Sequence, residues 1–450
     1  LVGATGSATE AVASDATGKI VIVGGGLAGM STAAKLSGML SNPDITVIEP
    51  DPTSVSYQPG QTLVAAGIWD KEDIIYNRDD FLPDGVTLMK DKMTDIDAKA
   101  QTVTLASGKE VAYDYLVVTT GCNLNYGAIE GLEGEITSSG TDNAIVKAKV
   151  GQNGVHSLYF RDGSEATWKG IQELIEQAKA HTGPEKLQAL FTHPNTPIKC
   201  GGAPKKIMYL VNARLEEAGV RDKVELTFLP NGGKMFGVVE YHDAILQQFK
   251  DRDFKWKYNH NLVKIDTDAK VATFDHHWKE KGEYDKDLEE YEMVTKHEMV
   301  EMKYDFIHIT PPMKAPEEVA KSSIGSGKGW VPVKKETLQH VKYPNVFSMG
   351  DVAAVPMGKT GGSARKQYKV LCENLVAQME GKSLEAEYGG YTVCPLITSI
   401  GTVMLAEFDW SKKPTPSFPL DPTKERWIWW LLKVYALKPM TIYGMLSGKA

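Results

Sequence analysis

The chain has 450 residues, of which 42% are hydrophobic and 24% charged, with a formal net charge of −8. This composition is typical of a globular protein with two or three domains. The acidic balance argues against nucleic acid as a partner. The sequence contains no run of about eighteen apolar residues, which a transmembrane helix would need. The four cysteines are too few for a disulfide scaffold and lack metal-ligand spacing, so we expect no bound metal.

The N-terminal segment, residues 1–18, is expected to lie outside the folded protein. Residues 1–13 are mostly small or apolar and end in Ala11-Val12-Ala13, which fits the end of an export signal with its cleavage site. A flexible leader without targeting meaning fits equally well. In both cases we expect folded structure to begin near Lys19.

A glycine-rich loop follows the first predicted strand. Lys19–Val23 is an apolar strand, and Gly24-Gly25-Gly26-Leu27-Ala28-Gly29 leads into a predicted helix over residues 30–40. Gly24 suits the tight turn, Gly26 the close approach of a pyrophosphate, and Gly29 the packing of helix on strand. After a second strand, Glu49 stands where a ribose acceptor is expected. The pattern predicts a dinucleotide site that also includes Leu27 and Ala28.

The second half of a two-dinucleotide flavoprotein would repeat this loop to hold NAD(P)H. Here a strand over residues 187–191 and a helix over residues 205–217 are joined by a segment without a glycine motif, and Cys200 lies in it. We therefore predict that the first site holds FAD. The electrons are expected to come from a thiol or sulfur donor.

Two further segments point to the flavin. A buried strand ends in Thr120-Gly121, as in flavoproteins where this backbone approaches FAD and crosses to the second domain. A later strand ends in Gly350-Asp351, which places the aspartate by the ribityl chain, and Lys359 and Thr360 precede a helix whose N-terminus faces the flavin ring. The charge-dense residues 275–301 are predicted to form a solvated hairpin or flap.

These elements predict an α/β fold with two Rossmann-like dinucleotide-binding domains of the glutathione-reductase-like FAD/NAD(P) type, plus a C-terminal helical segment that associates with a membrane. Residues 19–126 and 311–390 would form the FAD domain, and residues 127–310 the second domain with Cys200. Residues 391–450 would form the C-terminal segment, where Trp, Tyr and Lys stand beside short apolar runs, as at a lipid interface. The alternative is a helical pair packed on the protein's own core or on a second copy.

From Lys19 onward the chain resembles the sulfide:quinone oxidoreductase family, in the branch that includes the mitochondrial enzymes. The resemblance rests on residues 57–60, 191–209, 310–313, 335–340, 391–396, 405–409 and 424–426. Pro-Ile-Lys-Cys-Gly-Gly-Ala-Pro and Cys-Pro-Leu are its specific pieces. The resemblance implies that Cys200 and Cys394 are the redox pair, with Cys394 holding a persulfide and Cys200 facing the flavin. Cys122 and Cys372 match no redox position of the family and are expected to be buried, unreactive thiols.

The resemblance implies that sulfide attacks a Cys200–Cys394 disulfide and that two electrons pass to FAD and then to ubiquinone or menaquinone. The expected cofactor contacts include Gln58, and Lys424 is expected near the reduced flavin or the quinone. Phe408, Trp427 and Tyr435 are the candidate quinone contacts. Lys199, Lys205 and Lys206 are expected to attract HS⁻, unless they only form a solvated helix start.

Partners and location follow from the same interpretation. We expect a peripheral protein on a lipid surface, at the periplasmic face of a bacterial inner membrane; the mitochondrial inner membrane is the alternative. The sulfur acceptor (sulfide, glutathione, sulfite or cyanide) and homo-oligomerisation stay open. The alternatives are the flavoprotein subunit of a flavocytochrome sulfide dehydrogenase with a cytochrome c acceptor, a type II NADH dehydrogenase, which the missing second loop disfavours, and a flavin-bearing redox sensor.

Overall fold

The computed structural model describes residues 13–51, 54–137, 143–285 and 289–449. The expectations for residues 1–12 therefore lie outside the described residues. Ordered contacts begin earlier than Lys19, because the Ser14 N–H donates to the Met39 carbonyl oxygen at 2.8 Å.

The strands are, in chain order, β1 Lys19–Val23, β2 Asp44–Ile48, β3 Ser54–Ser56, β4 Ile75–Asn77, β5 Val86–Met89, β6 Met93–Asp97, β7 Thr102–Leu105, β8 Glu110–Ala112, β9 Tyr115–Val118, β10 Asn123–Leu124, β11 Val155–His156, β12 Leu187–His193, β13 Val224–Pro230, β14 Lys255–Trp256, β15 His260–Asp266, β16 Val271–Asp285, β17 Glu290–Lys303, β18 Phe306–His308, β19 Met313–Lys314, β20 Val346–Ser348, β21 Thr392–Ser399, β22 Thr402–Phe408 and β23 Glu425–Arg426. The helices are α1 Leu27–Met39, α2 Gln61–Val64, α3 Ala144–Lys147, α4 Arg161–Ala180, α5 Ala203–Glu217, α6 Val239–Asp251, α7 Glu317–Lys321, α8 Gly361–Met379, α9 Trp427–Leu431 and α10 Leu437–Pro439.

The first sheet is parallel and has the strand order β20-β9-β1-β2-β5. Its strands are short apolar runs rich in Val and Ile, as expected where helices cover a parallel sheet. Ile20, Ile22, Val47 and Val117 are buried in its core. Because β20 adds to an edge of this sheet after more than two hundred intervening residues, the chain returns to its first unit.

The second sheet is also parallel, with the order β11-β18-β12-β13-β14. Its core is aromatic: Phe228 and Phe254 both contact Phe249, with ring centroids 6.0 and 5.2 Å apart. Two antiparallel strands, β10 and β19, run side by side where the chain leaves the first unit and returns to it. The α/β fold with two Rossmann-like sheets is thus confirmed.

A third, antiparallel sheet has the order β15-β16-β17. β16 and β17 pair from Val271/Lys303 to Asp285/Glu290, whereas β15 pairs with β16 only as far as His276. The predicted hairpin is therefore confirmed, and its outer half is a two-stranded ribbon.

The C-terminal segment begins with the antiparallel sheet β21-β22-β23 and ends in short helical turns. β21 packs on α5, which brings Cys394 to the helix that follows Cys200. The last turns divide their apolar side chains: Trp429, Val434, Ile442, Met445 and Leu446 are buried, while Trp427, Ile428, Leu431, Tyr435 and Tyr443 are exposed. None of the described helices has a stretch long and apolar enough to cross a membrane.

Candidate active site

A deep cleft opens where the two parallel sheets and the C-terminal segment meet. About 1770 Å³ of empty space lies in the cleft and in the open solvent at its mouth. Cys200 lies on its wall together with most of the residues that the sequence singles out for the cofactor: Gly24, Gly26, Leu27, Ala28, Glu49, Gln58, Thr120, Gly121, Gly350, Asp351, Lys359 and Thr360.

The glycine loop is shaped by close backbone contacts. Gly24 has a φ of +102°, and a Cβ on it would lie 2.6 Å from the carbonyl oxygen of Thr119. Gly29 does not line the cleft; a Cβ on it would lie 1.8 Å from the Gly24 carbonyl oxygen, so the start of α1 could not pack there. A Cβ on Gly26 would meet no atom within 4 Å, because Gly26 borders the open cleft. The backbone at Gly26 and the N-terminus of α1 are thus accessible to a pyrophosphate.

Glu49 holds this loop by hydrogen bonds. Its carboxylate accepts hydrogen bonds from the N–H groups of Gly25 at 2.7 Å and Asp51 at 2.9 Å. Burial raises the pKa of Glu49, although the Arg78 guanidinium, 4.0 Å away, and the two N–H donors favour the charged form. The carboxylate holds the loop in shape, and its contact with a ribose stays a prediction.

The opposite end of the cleft is formed by the segments around Asp351 and Lys359. Gly350 has a φ of +74°, and its N–H donates to Gln367 Oε1 at 2.9 Å. The Lys359 ammonium donates to the carbonyl oxygens of Asp351 and Ala353 and lies 4.0 Å from the centre of the Trp330 ring. Burial lowers the pKa of Lys359. These contacts hold the end of β20 and the start of α8 as a rigid wall.

Cys200 and Cys394 lie close to one glycine and one lysine. Cys200 has a φ of +53°, and its N–H donates to the Lys359 carbonyl oxygen at 2.8 Å. A Cβ on Gly202 would lie 2.2 Å from Cys394 Sγ, so only glycine leaves room for this thiol. The Lys206 ammonium donates to Cys200 Sγ at 3.4 Å and also interacts with Cys394. The structure therefore brings together two cysteines that are distant in sequence.

The charges around the two thiols are buried rather than solvated. Lys205 and Lys206 are 2% and 3% exposed, which rules out a solvated helix start. Burial lowers the pKa of Lys205 to about 8, whereas for Lys206 the interaction with the two sulfurs outweighs burial and raises the pKa. Burial raises the pKa of the Cys394 thiol, and Lys206 opposes that rise. Lys206 thus favours a thiolate on Cys394, and burial opposes it.

Lys433 was not predicted from the sequence. It comes from the C-terminal segment, is 2% exposed, and donates to the Pro59 carbonyl oxygen at 2.7 Å on the cleft wall. Burial, together with repulsion from Lys206, lowers the pKa of Lys433 to about 7. Lys424, which the sequence analysis placed near the flavin, is exposed and does not line the cleft.

The three candidate quinone contacts do not meet. Phe408 is buried in the second core, with its ring centroid 5.3 Å from that of Phe236. Trp427 and Tyr435 are 65% and 68% exposed. None of the three lines the cleft. The sequence grouped them because they are aromatic and near in sequence, but packing separates a core side chain from two surface ones.

The other two cysteines lie apart from the pair. Cys122 Sγ contacts Met313 Sδ at 3.8 Å, and burial raises the pKa of this thiol to about 12. Cys372 Sγ lies 3.8 Å from the Thr32 carbonyl oxygen, and burial raises its pKa further. Both thiols are therefore buried in surroundings that favour the protonated form.

The parallel sheets and the glycine-lined cleft define a nucleotide-binding redox protein, and a family model described as pyridine nucleotide-disulphide oxidoreductase matches residues 18–155. A mitochondrial sulfide:quinone oxidoreductase of Dictyostelium discoideum is 38% identical over 96% of this chain and 86% of its own length. The mouse protein of that name is 33% identical over 95% and 86%. This chain belongs to the sulfide:quinone oxidoreductase family. The solved structure of the Aquifex aeolicus sulfide:quinone oxidoreductase shares the fold, with a TM-score of 0.74 and 21% identity over 96% of this chain and 92% of the other.

Proposed function

We propose that this chain oxidises hydrogen sulfide with Cys200 and Cys394 and passes two electrons through FAD to a membrane quinone. The observation that supports this most directly is the buried Lys206 ammonium, which interacts with both sulfurs at the wall of the cleft. Such a cation stabilises the thiolate that must leave when a disulfide is attacked. The relatives named above favour a quinone acceptor over cytochrome c or NADH.

The cleft residues fit FAD. Gly26 leaves open backbone at the N-terminus of α1 for the pyrophosphate. Thr120 Oγ1 is buried without a hydrogen-bond partner among the described residues, so a donor or acceptor of the cofactor can satisfy it. Asp351 and the N-terminus of α8, capped by Thr360, line the cleft, and we expect them to contact the ribityl chain and the flavin ring. When bound, FAD would supply a two-electron acceptor for the cysteine pair.

The sulfur chemistry uses the pair as follows. In the oxidised protein the two cysteines form a disulfide, and HS⁻ attacks Cys394 Sγ. The Cys200–Cys394 bond breaks as a bond to the incoming sulfur forms, which leaves a persulfide on Cys394 and a thiolate on Cys200. Lys206 compensates the new charge. A nucleophilic acceptor (sulfide, glutathione, sulfite or cyanide) then removes the outer sulfur and leaves a thiolate on Cys394, and the loss of two electrons from the pair restores the disulfide.

The position of each thiol supports these roles. Cys200 lines the cleft, whereas Cys394 is 5% exposed and does not. Cys200 is thus placed to face a bound flavin, and Cys394 lies behind it with its sulfur held between Gly202 and Lys206. Lys433, with a pKa of about 7, is able to hold or release a proton at the cleft wall near neutral pH.

The C-terminal segment supports a quinone and membrane role. Leu437, Met440 and Met445 line the cleft, so this segment forms part of its wall. Next to them in sequence, Tyr435 and Tyr443 are 68% and 76% exposed. Exposed aromatic side chains at the edge of an apolar cleft suit a lipid interface from which ubiquinone or menaquinone can reach the flavin. Three of the relatives are mitochondrial by name, so we place the protein at the mitochondrial inner membrane rather than at the bacterial periplasmic face expected from the sequence.

Anaerobic titration of the purified flavoprotein with sulfide, and separately with NADH, tests the proposal. Sulfide should bleach the flavin at 450 nm, and NADH should not. Cys200→Ser and Cys394→Ser should each lower sulfide turnover by orders of magnitude with FAD still bound. Cys122→Ser and Cys372→Ser are the matched controls and should keep most of the activity. Rapid bleaching by NADH, or a loss in Cys122→Ser equal to that in Cys394→Ser, would contradict the assignment.

A further inference from the structure

The hairpin of β16 and β17 has an apolar outer face that nothing in the described chain covers. At its base, one face buries Ala272 and Phe274 in the second core. The other face looks to solvent, and we call it the outer face; it includes Tyr291, Met293 and Met299 on β17 and their cross-strand partners Tyr284, Lys281 and Asp275. The solvent side of an antiparallel sheet is normally polar. Here Tyr284, Tyr291, Met293 and Met299 are between 48% and 61% exposed.

The outer half of the hairpin also lacks a third strand. β15 pairs with β16 only up to His276, so the ribbon beyond it has two strands. A two-stranded ribbon is marginally stable in water unless its face packs against something. Within the ribbon, the rings of Tyr284 and Tyr291 meet at 5.0 Å and Lys281 lies 4.7 Å from the Tyr291 ring, which still leaves half of each tyrosine exposed.

The outer face carries only lysines towards its tip, whereas towards its base it carries two carboxylates and Lys303. Lys279 and Lys281 lie towards the tip, and Asp275 and Glu301 lie towards the base. Along the strands, the midpoint between the two lysines and the two carboxylates is the directly paired His277 and His297. If a second copy lay face to face in the antiparallel direction about this midpoint, Lys279 would face Asp275 of the other copy. Lys281 would then lie beside Glu301.

Tyr291 fits the same arrangement, whereas Met293 would face Glu301 of the other copy. On β17, Tyr291 and Lys303 are equally far from His297 on opposite sides, so each tyrosine ring would face a lysine of the other copy, as in a cation–π pair. At roughly 3.3 Å per residue the strands run about 45 Å, and with a width of about 10 Å the footprint is roughly 450 Å² per copy, at the low end of specific interfaces. A weak, concentration-dependent dimer is therefore expected.

We propose that the outer face of the β16–β17 hairpin is a self-association surface through which two copies of this chain form an antiparallel, twofold-symmetric dimer. The surface is self-complementary in charge, which a second copy satisfies and an unrelated partner need not. The proposal is independent of the sulfide chemistry, because none of these residues lines the cleft.

Sedimentation velocity of the detergent-solubilised full chain, over a wide range of concentration, tests this. The mass should shift from one copy to two, and Lys281→Glu or Glu301→Lys should each weaken the dimer about tenfold, since each replaces two symmetry-related attractions by repulsions. An equimolar mixture of the two variants should regain the dimer, because each mixed contact again pairs unlike charges. Lys296→Glu and Glu298→Lys, on the opposite face of β17, are matched controls and should leave it unchanged.

Sulfide turnover should be the same in all of these variants, which shows that they fold. A chain that stays monomeric throughout would overturn the proposal. So would a dimer that is insensitive to Lys281→Glu, or a mixture of the two variants that fails to associate.

Discussion

The reactivity of the cysteine pair should depend on one ammonium group. Lys206→Met removes the cation that lies 3.4 Å from Cys200 Sγ and leaves a side chain of similar length. A full unit charge at that distance would contribute about 5 kcal/mol at an effective dielectric constant near 20. Because Lys205 and Lys433 remain close to both sulfurs, we expect a net loss nearer that of one charged hydrogen bond, about 1.5–3 kcal/mol.

That loss corresponds to a roughly 10- to 150-fold fall in the reactive thiolate near neutral pH. The direction follows from the structure: burial raises the pKa of Cys394 and Lys206 opposes it, so the variant titrates at higher pH. Sulfide turnover should fall by a similar factor and recover as the pH is raised.

The assay is the rate of alkylation of the reduced protein by iodoacetamide as a function of pH, followed by mass spectrometry of the peptides that contain Cys200 and Cys394. Lys206→Arg should keep most of the rate because it keeps the charge. Lys205→Met is the neighbouring control; the Lys205 ammonium lies 5.2 Å from the Phe228 ring and donates to the Gly201 carbonyl oxygen, so its loss should matter less. The reasoning is refuted if Lys206→Met is alkylated like the wild type at every pH, or if Lys205→Met is equally impaired.

Three further outcomes are expected. Gly202→Ala should abolish sulfide turnover because its Cβ would lie 2.2 Å from Cys394 Sγ. Gly201→Ala, whose Cβ would have nothing within 4 Å, should be active. Steady-state kinetics measures both, and equal activity of the two variants would contradict the geometry. Lys433→Met should have a higher free energy of unfolding than the wild type at pH 7, because burying the Lys433 ammonium is costly there. This difference should shrink towards pH 10, since the folded protein releases the proton while the unfolded chain keeps it. Urea unfolding at several pH values measures the difference, and a constant value would refute the reasoning. Trp427→Ser combined with Tyr435→Ser should weaken liposome binding by about 1.5–3 kcal/mol per side chain that is fully buried in lipid, with sulfide still reducing the flavin in a single turnover; unchanged co-sedimentation with liposomes would rule out a lipid contact there.

The C-terminal segment shows why point variants are preferable to a deletion there. The sequence suggested two alternatives for residues 427–446, a lipid surface or a helical pair packed on the core. The structure shows core packing for part of the segment: Ile442, Met445 and Leu446 join the core of the first sheet, and Trp429 and Val434 pack on β22. A lipid contact of the exposed Trp427 and Tyr435 stays a prediction. Removing the whole segment would therefore also damage the cofactor cleft.

The parts of the protein that depend on local geometry could be predicted from the sequence. The glycine loop at Gly24 was predictable because a positive φ and the contact with Thr119 exclude any side chain there. The β16–β17 hairpin and the buried strands of the first sheet were predictable from charge and from runs of Val and Ile. The assignment of Cys200 and Cys394 came from family resemblance, since no local pattern shows that two distant cysteines will meet.

Which side chains surround those thiols depends on the packing of distant segments. Lys424 and Lys433 look alike in sequence, yet only Lys433 donates to Pro59, 374 positions earlier, because the turn of helix before it and the packing of Trp429 and Val434 rotate it inwards. Phe408 was predicted beside Tyr435, but the pairing of β21 and β22 commits Phe408 to the second core. Burial and long-range contacts set both the charge state and the position of a side chain, and neither is encoded in its immediate neighbours.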